Sequence, residues 1–303
     1  MRKDFVSVLD LTTDEILGVF NLARSLKSNP LKDRPLEGRT VVLLFEKPSL
    51  RTRVTFETGA YMLGGNSIYL APQDIQLGKR ESVGDAGRNL SRWVDVIVAR
   101  TFLHRTVMEL AETASVPVIN GLSDLEHPCQ AMADFLTVLE HKQDLSSLKI
   151  AWVGDGNNVC NSFILCGALV GAHIVCAIPE GYEPQLFPRA QELARPNGSR
   201  IELTRYPEEA VRDADVIYTD VWTSMGEEEE SEKRKRVFRP YQLNGELTAL
   251  AKADHIVMHC LPAHRGEEIT DEVLDGPHSV VLDQAENRLH AQNAIMVRLV
   301  RNG

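Results

Sequence analysis

The sequence predicts an α/β protein made of two doubly wound parallel-sheet domains. Three observations carry this. Short β-rich runs alternate with helical stretches of about 10–15 residues along the chain. The chain has 303 residues, 43% of them hydrophobic, enough for more than one core. A polar stretch, HKQDLSSL (141–148), separates two sets of strand-like runs. The boundary is therefore expected there, with a first domain over 1–142, a second over 143–284 and a closing helix over 285–303.

TTDEILGVFNLARSL opens the chain's regular structure as an amphipathic helix, with Thr12 or Thr13 as its cap. TVVLLF (40–45) reads as a strand that hands over to a helix near Leu50. NSIYLA (66–71) precedes a polar loop, DVIVAR (95–100) a helix containing ELAETA, and VPVING (116–121) the helix PCQAMADFLTVLEH. KIAWVGD (149–155) and HIVCAIP (173–179) each lead into a helix. RIELT (200–204), DVIYTDV (215–221), HIVMHC (255–260) and SVVLD (279–283) read as further strands, before the closing helix AENRLHAQNAIMVRLV. The run EEEESEKRKR (227–236) is acidic and then basic, and reads as a solvated loop that neutralises itself.

A net charge of −10 argues against nucleic acid or a membrane surface as partner. An anionic small molecule would need a local positive pocket. No run of about 20 apolar residues spans a membrane. The N-terminus shows neither an apolar signal core nor an Arg/Ser-rich transit stretch. Five cysteines without a CxxC suggest free thiols in a reducing compartment, so a cytoplasmic protein is expected.

In open parallel sheets ligands sit beyond the C-terminal strand ends. The residues there are chemically distinctive. Ser49-Leu50-Arg51-Thr52-Arg53 places Ser49 at a helix N-cap, with hydroxyls and two guanidinium groups beside unpaired first-turn N–H groups. That is a pocket for phosphate or a similar anion; the competing reading is salt bridges from the arginines to Glu46 or Glu57. Arg100 ends its strand and becomes a candidate clamp beside such a site. Pro128 suits a first helical position, which leaves His127 at the cap and Gln130 one turn on. GDGNN (154–158) resembles half of a dinucleotide fingerprint, with Val159 at the third glycine position and Glu180 where a ribose-binding acid could sit. Asp220 is a natural counter-ion for an amine, with Ser224 and Met225 in the loop beyond. Cys260 admits three readings: a nucleophile, a zinc ligand with His259 and His264, or a contact to substrate.

Together, SLRTR, HPCQ (127–130), Asp220 with Ser224-Met225-Gly226, and HCLP (259–262) closely resemble the motifs of the aspartate/ornithine carbamoyltransferase family, its ornithine branch in particular. One departure is Leu50, where the family's S-T-R-T-R has threonine. The resemblance implies an N-terminal carbamoyl-phosphate domain, a C-terminal ornithine domain and a last helix that returns to the first. It implies transfer of a carbamoyl group from carbamoyl phosphate to the ornithine δ-amine, giving citrulline and phosphate, without cofactor or metal, in a homotrimer or a larger assembly of trimers. Ser49, Leu50 through its main chain, Arg51, Thr52, Gln76 and Arg100 would hold phosphate. Thr52, Arg100 and His127 would polarise the carbonyl, and Gln130 would hold the amide. Ornithine would lie against Asn158, Asp220, Ser224 and Met225; Cys260 and Leu261 would touch both substrates, and Arg288 would reach the site from the last helix. Arg100, His127, Asp220 and Cys260 are the expected catalytic set. The Leu50 side chain is expected to turn inward in line with Val54. The rival readings are a sister transferase for another amine, an NAD-dependent oxidoreductase using GDGNN, and a relative with a dead site.

Overall fold

The structure, a computed structural model, describes residues 4–28, 34–78, 80–223 and 230–302. It separates into two compact units: one runs to Leu136 and resumes at Glu286, the other is Thr137–Ala285.

The first unit is built on four parallel strands: β1 (Thr40–Phe45), β2 (Asn66–Leu70), β3 (Val96–Arg100) and β4 (Val118–Leu122). Their order is β2-β1-β3-β4. In the centre, Leu43 is level with Tyr69 on one side and Val98 on the other. The central strands are apolar throughout because helices cover both faces of a parallel sheet, and Val41–Phe45 and Val96–Ala99 are buried. β4 starts only after Pro117, which has no N–H to give a ladder. The first helix, Thr13–Ser28, is capped from Thr12, whose hydroxyl accepts from Glu15 N while Glu15 returns to Thr12 N.

Helix Leu50–Met62 follows β1 and buries Thr52, Phe56, Gly59 and Ala60, one face at helical spacing. From Glu286 on, the final helix, Val281–Asn302, belongs to this unit and crosses this face. A side chain at Gly59 would place its Cβ 2.1 Å from Asn293 Oδ1 and 3.1 Å from Met296 Cε. Glycine is there because the helices approach closely. The final helix is also tied to the first by an Arg298–Glu15 ion pair and by Lys27 Nζ donating to Asn287 Oδ1 at 2.9 Å.

The second unit has five parallel strands: β5 (Lys149–Val153), β6 (His173–Ala177), β7 (Ile201–Thr204), β8 (Val216–Thr219) and β9 (Ile256–His259). Their order is β7-β6-β5-β8-β9. Helix Asn158–Val170 is buried along most of its length and packs Phe163 against Trp152 and Tyr218.

Two sequence expectations fail here. SVVLD is not a strand: Ser279 makes one parallel bridge to Val257, and the helix already begins at Val281. An apolar run of four or five residues does not distinguish a strand from a helix start. The charged run is not a solvated loop where it is described: residues 231–238 form a helix, and Arg234 is buried. Of its four leading glutamates, 227–229 lie outside the described residues.

In each sheet the chain leaves one strand in one direction and the next in the other. The reversal lies between β1 and β3 in the first unit and between β5 and β8 in the second. Crossover connections diverge at such points and leave a crevice at the strand ends. Gly59→Val should push the final helix off helix Leu50–Met62 and lower stability by about 1–3 kcal/mol, read as a lower urea midpoint with an unchanged slope.

Candidate active site

At the β1/β3 reversal, Ser49 caps helix Leu50–Met62, its hydroxyl accepting from Thr52 N at 3.3 Å. Thr52 is buried, and its Oγ1 lies 3.1 Å from Ser49 Oγ. The same oxygen accepts from Arg288 Nη2 at 3.3 Å and lies 3.5 Å from Arg100 Nη1. Its lone pairs are used, so its own proton is left to donate elsewhere.

Arg288 is only 2% exposed, and its charge is held by protein groups. Nη1 donates to Gln130 Oε1 at 2.6 Å, and Gln130 Nε2 donates to buried Asp134 at 2.8 Å. The Gln292 amide satisfies both its neighbours when its oxygen faces Arg288, 2.8 Å from Nη2, and its nitrogen faces Thr55 Oγ1 at 2.7 Å. A line of buried hydrogen bonds thus runs from Asp134 through Gln130 and Arg288 to Thr52.

His127 occupies the cap before Pro128, accepting at its carbonyl from Gln130 N at 3.0 Å. Burial pushes its imidazole pKa well below 6.5, and Arg288, Arg100, Lys47 and Arg51 push it further in the same direction. His127 is therefore a neutral imidazole at neutral pH. Burial, with help from Arg100, also lowers Lys47 to about 8. A protein of net charge −10 has here collected a lysine and three arginines around one neutral histidine. Like charges in a half-dry corner are costly to assemble, and an anion relieves that cost.

Not every expected residue joins this corner. Leu50 is 75% exposed and Val54 48%, so the Leu50 side chain does not turn inward. The inward face of that helix is already taken by Thr52, Phe56, Gly59 and Ala60. Arg53 pairs with Glu57 at 3.1 Å and lies over the Tyr69 ring. Gln76 is exposed at the end of the short helix Pro72–Ile75, in left-handed backbone (φ 46°), and shares none of the corner's hydrogen bonds among the described residues.

At the β5/β8 reversal in the second unit, Asp220 is 4% exposed and hydrogen-bonded at both carboxylate oxygens. One carboxylate oxygen accepts from Asn157 Nδ2 at 2.8 Å; the other accepts from Val221 N at 2.8 Å and from the Cys260 thiol at 3.0 Å. Asn157 also caps helix Asn158–Val170, accepting from Val159 N and Cys160 N. Asn158 is the first residue of that helix. Ser224 and Met225 lie outside the described residues.

The glycines of GDGNN have local reasons. Gly154 adopts φ 131°. A Cβ on Gly156 would fall 2.3 Å from Tyr182 O and 2.4 Å from Pro184 N. The space that a dinucleotide fingerprint leaves for pyrophosphate is thus filled by the protein's own backbone.

Cys260 is presented by a fixed loop. Leu261, in left-handed backbone (φ 59°), donates its N–H to His259 Nδ1 at 2.8 Å, and His259 Nε2 donates to Glu268 Oε1 at 3.0 Å. Both ring nitrogens of His259 are taken, so it serves the thiol neither as base nor as fellow zinc ligand. The thiol acts as a hydrogen-bond donor to Asp220.

Sequence reading missed several supports. Asn157 carried a signal, an asparagine directly before a helix. Asp134 and Gln292 follow Gln130 and Arg288 by one helical turn, a spacing that puts partners on one face. Arg234 carried none. It lies within a charge run, yet its guanidinium pairs with buried Asp155, donates to Trp222 O and lies against the Tyr182 and Phe238 rings.

Arg234→Ala should remove the buried guanidinium that Asp155 pairs with and cost about 3–5 kcal/mol, measurable by chemical denaturation. Acid should act through the histidines. Unfolded imidazole binds its proton near 6.5, whereas His127, His104 and His255 are all lowered by burial in the fold. The unfolded chain then holds more protons below that value, so this stability is full above about pH 6.5 and is lost as the pH falls through it. His127→Gln should flatten the fall in unfolding free energy between about pH 7 and pH 5.

Known proteins match this chain in both sequence and fold. A family model described as "Aspartate/ornithine carbamoyltransferase, carbamoyl-P binding domain" matches residues 3–140. Its companion, the "Asp/Orn binding domain", matches residues 146–299. Ornithine carbamoyltransferase of Thermococcus kodakarensis is 52% identical over 306 residues, covering 99% of this chain and 97% of that protein. The structure of the Pyrococcus furiosus enzyme superposes with a TM-score of 0.93 at 50% identity, covering 97% of this chain and 95% of that one. The anabolic enzyme of Campylobacter jejuni superposes with a TM-score of 0.94 at 36% identity, covering 99% of both chains. This chain belongs to the aspartate/ornithine carbamoyltransferase family.

Proposed function

We propose that the chain transfers the carbamoyl group of carbamoyl phosphate to the δ-amine of L-ornithine, giving L-citrulline and phosphate. The observation that carries this reading is the corner at the end of β1 and β3. It pairs a helix N-terminus and several positive groups, which suit a phosphate, with a neutral histidine and a threonine proton, which suit a carbonyl oxygen. In this reading Ser49, Arg51, Arg100 and the first N–H groups of the helix, that of Leu50 among them, hold the phosphate. Thr52, Arg100 and His127 donate to the carbonyl oxygen, and Gln130 takes the amide. Arg288 acts through Thr52 and Gln130, to which its Nη2 and Nη1 already donate. Gln76 is kept as an outlying phosphate contact.

The second unit supplies the amine. Asp220 and Asn158, with Ser224 and Met225, bind ornithine, and Cys260 and Leu261 face both reactants. A lysine-like amine titrates near ~10.4 and reacts only as the free base. Its nitrogen attacks the carbonyl carbon, a C–N bond forms, and oxygen negative charge grows where Thr52, Arg100 and His127 point. The bond from carbon to the phosphate oxygen then breaks, with its electron pair leaving on phosphate. The surplus amine proton passes to a phosphate oxygen or to Asp220. A neutral His127 suits this role, since it stabilises the oxyanion without surrendering a proton to it. We further place the enzyme in the cytoplasm, consistent with five free cysteines, and in a trimer or a multiple of trimers. Leu50, Val54 and Tyr61 support association: all are exposed, and their i, i+4, i+11 spacing makes one apolar stripe. Among the described residues no helix is long and apolar enough to cross a membrane.

The test is an assay of carbamoyl transfer to ornithine, acetylornithine, putrescine and aspartate. Citrulline from ornithine is expected, with the other amines far behind; preference for another amine would assign the chain to a sister activity. Arg100→Ala should lower kcat/KM by about 10²–10³ with its circular dichroism unchanged. Asp220→Asn should raise KM for ornithine more than for carbamoyl phosphate.

A further inference from the structure

His264 stands out in the loop after Cys260, because it does not join Cys260 or His259. It lies instead with Glu267 and Glu268, and one ligand atom from each of the three falls within 4.8 Å of the others. Glu268 is 0% exposed. Its Oε1 is fully used, accepting from His259 Nε2 at 3.0 Å and from His264 N at 2.6 Å. Its Oε2 is buried without a hydrogen-bond partner, 4.0 Å from His264 Nδ1. A buried carboxylate oxygen left alone is expensive unless something positive meets it. Lys235 does not do so: its ammonium sits 2.8 Å from Glu267 Oε1.

We propose that His264, Glu267 and Glu268 form a binding site for one divalent metal ion of the zinc class. One imidazole and two carboxylates are a common zinc donor set, and they neutralise the ion's charge. An imidazole ligand disfavours magnesium and calcium, which take oxygen. Ligand bonds of about 2.0–2.2 Å require His264 Nδ1 and Glu268 Oε2 to close by less than about 1 Å. His264 is half exposed and Glu267 one-third exposed, so both side chains can turn to meet the ion. Glu268 Oε2 supplies the fixed point, and water completes the shell. The ion would brace the Cys260–Glu268 loop, since Glu268 already holds His259 through its other oxygen.

The probe is cobalt(II) or zinc alone, added to chelator-stripped protein in which Cys260 has been replaced by serine. That change removes the thiol from the competing group of Asp220, His259 and Cys260; alkylating Cys260 in otherwise unaltered protein gives the same background if the variant does not fold. One cobalt per chain is expected, with a visible d–d spectrum and no thiolate charge-transfer band. Adding His264→Ala or Glu267→Gln should weaken binding by at least about tenfold and abolish the rise in Tm caused by zinc. Failure of cobalt to bind the thiol-blocked protein, or binding undiminished by His264→Ala, overturns the proposal.

Discussion

A parallel sheet cannot return the chain by a hairpin, so every connection crosses over a face. When two connections leave neighbouring strands toward opposite sides, nothing covers the strand ends between them. That constraint operates twice in this chain, between β1 and β3 and between β5 and β8. Thr52 and Arg100 lie at the first opening; Asp220 and Asn157 lie at the second. Each opening is also flanked by a helix N-terminus, one capped by Ser49 and the other by Asn157. Strand order therefore decides where polar chemistry can be displayed at all. The side chains decide which chemistry it is.

What those openings display is held in place because each polar group there has a fixed protein partner. Thr52 and Gln130 are held by Arg288, Asp220 by Asn157, and the Cys260 loop by His259 on Glu268. Buried hydrogen bonds of this kind add modest net stability, but losing one partner is expensive. The supports are thus worth more to geometry than to folding energy. The Arg234–Asp155 pair follows the same logic one layer out, joining helix Ser231–Phe238 to the residues just after β5 and β8.

The fold was legible because parallel strands buried on both faces are apolar runs, and such runs are hard to hide. TVVLLF and DVIVAR became β1 and β3 within a residue of their expected bounds. SVVLD misled because its apolar residues serve a helix start beside β9. Ser49 as N-cap, Pro128 as first helical residue and His127 before it could be read from cap chemistry, which is local. The buried state of Arg288, the occupied faces of His259 and the burial of Arg234 could not. They depend on partners distant in sequence, and a charged residue in a polar stretch looks the same whether water or an aspartate meets it. Leu50 failed for a related reason: spacing gave it a partner in Val54, but not the side of the helix on which both lie.

The route of the chain through the first unit sets an order of events. Thr52, Gln130 and Gly59 are translated early, whereas Arg288, Gln292 and Asn293, which meet them, come only after the whole of Thr137–Ala285. A nascent chain can close the second unit while the first still lacks its last helix and its buried guanidinium. During synthesis the anion-binding corner therefore waits on a segment made after the neighbouring unit. Ribosome stalling or premature termination before Glu286 would release a chain whose second unit is complete and whose first is not.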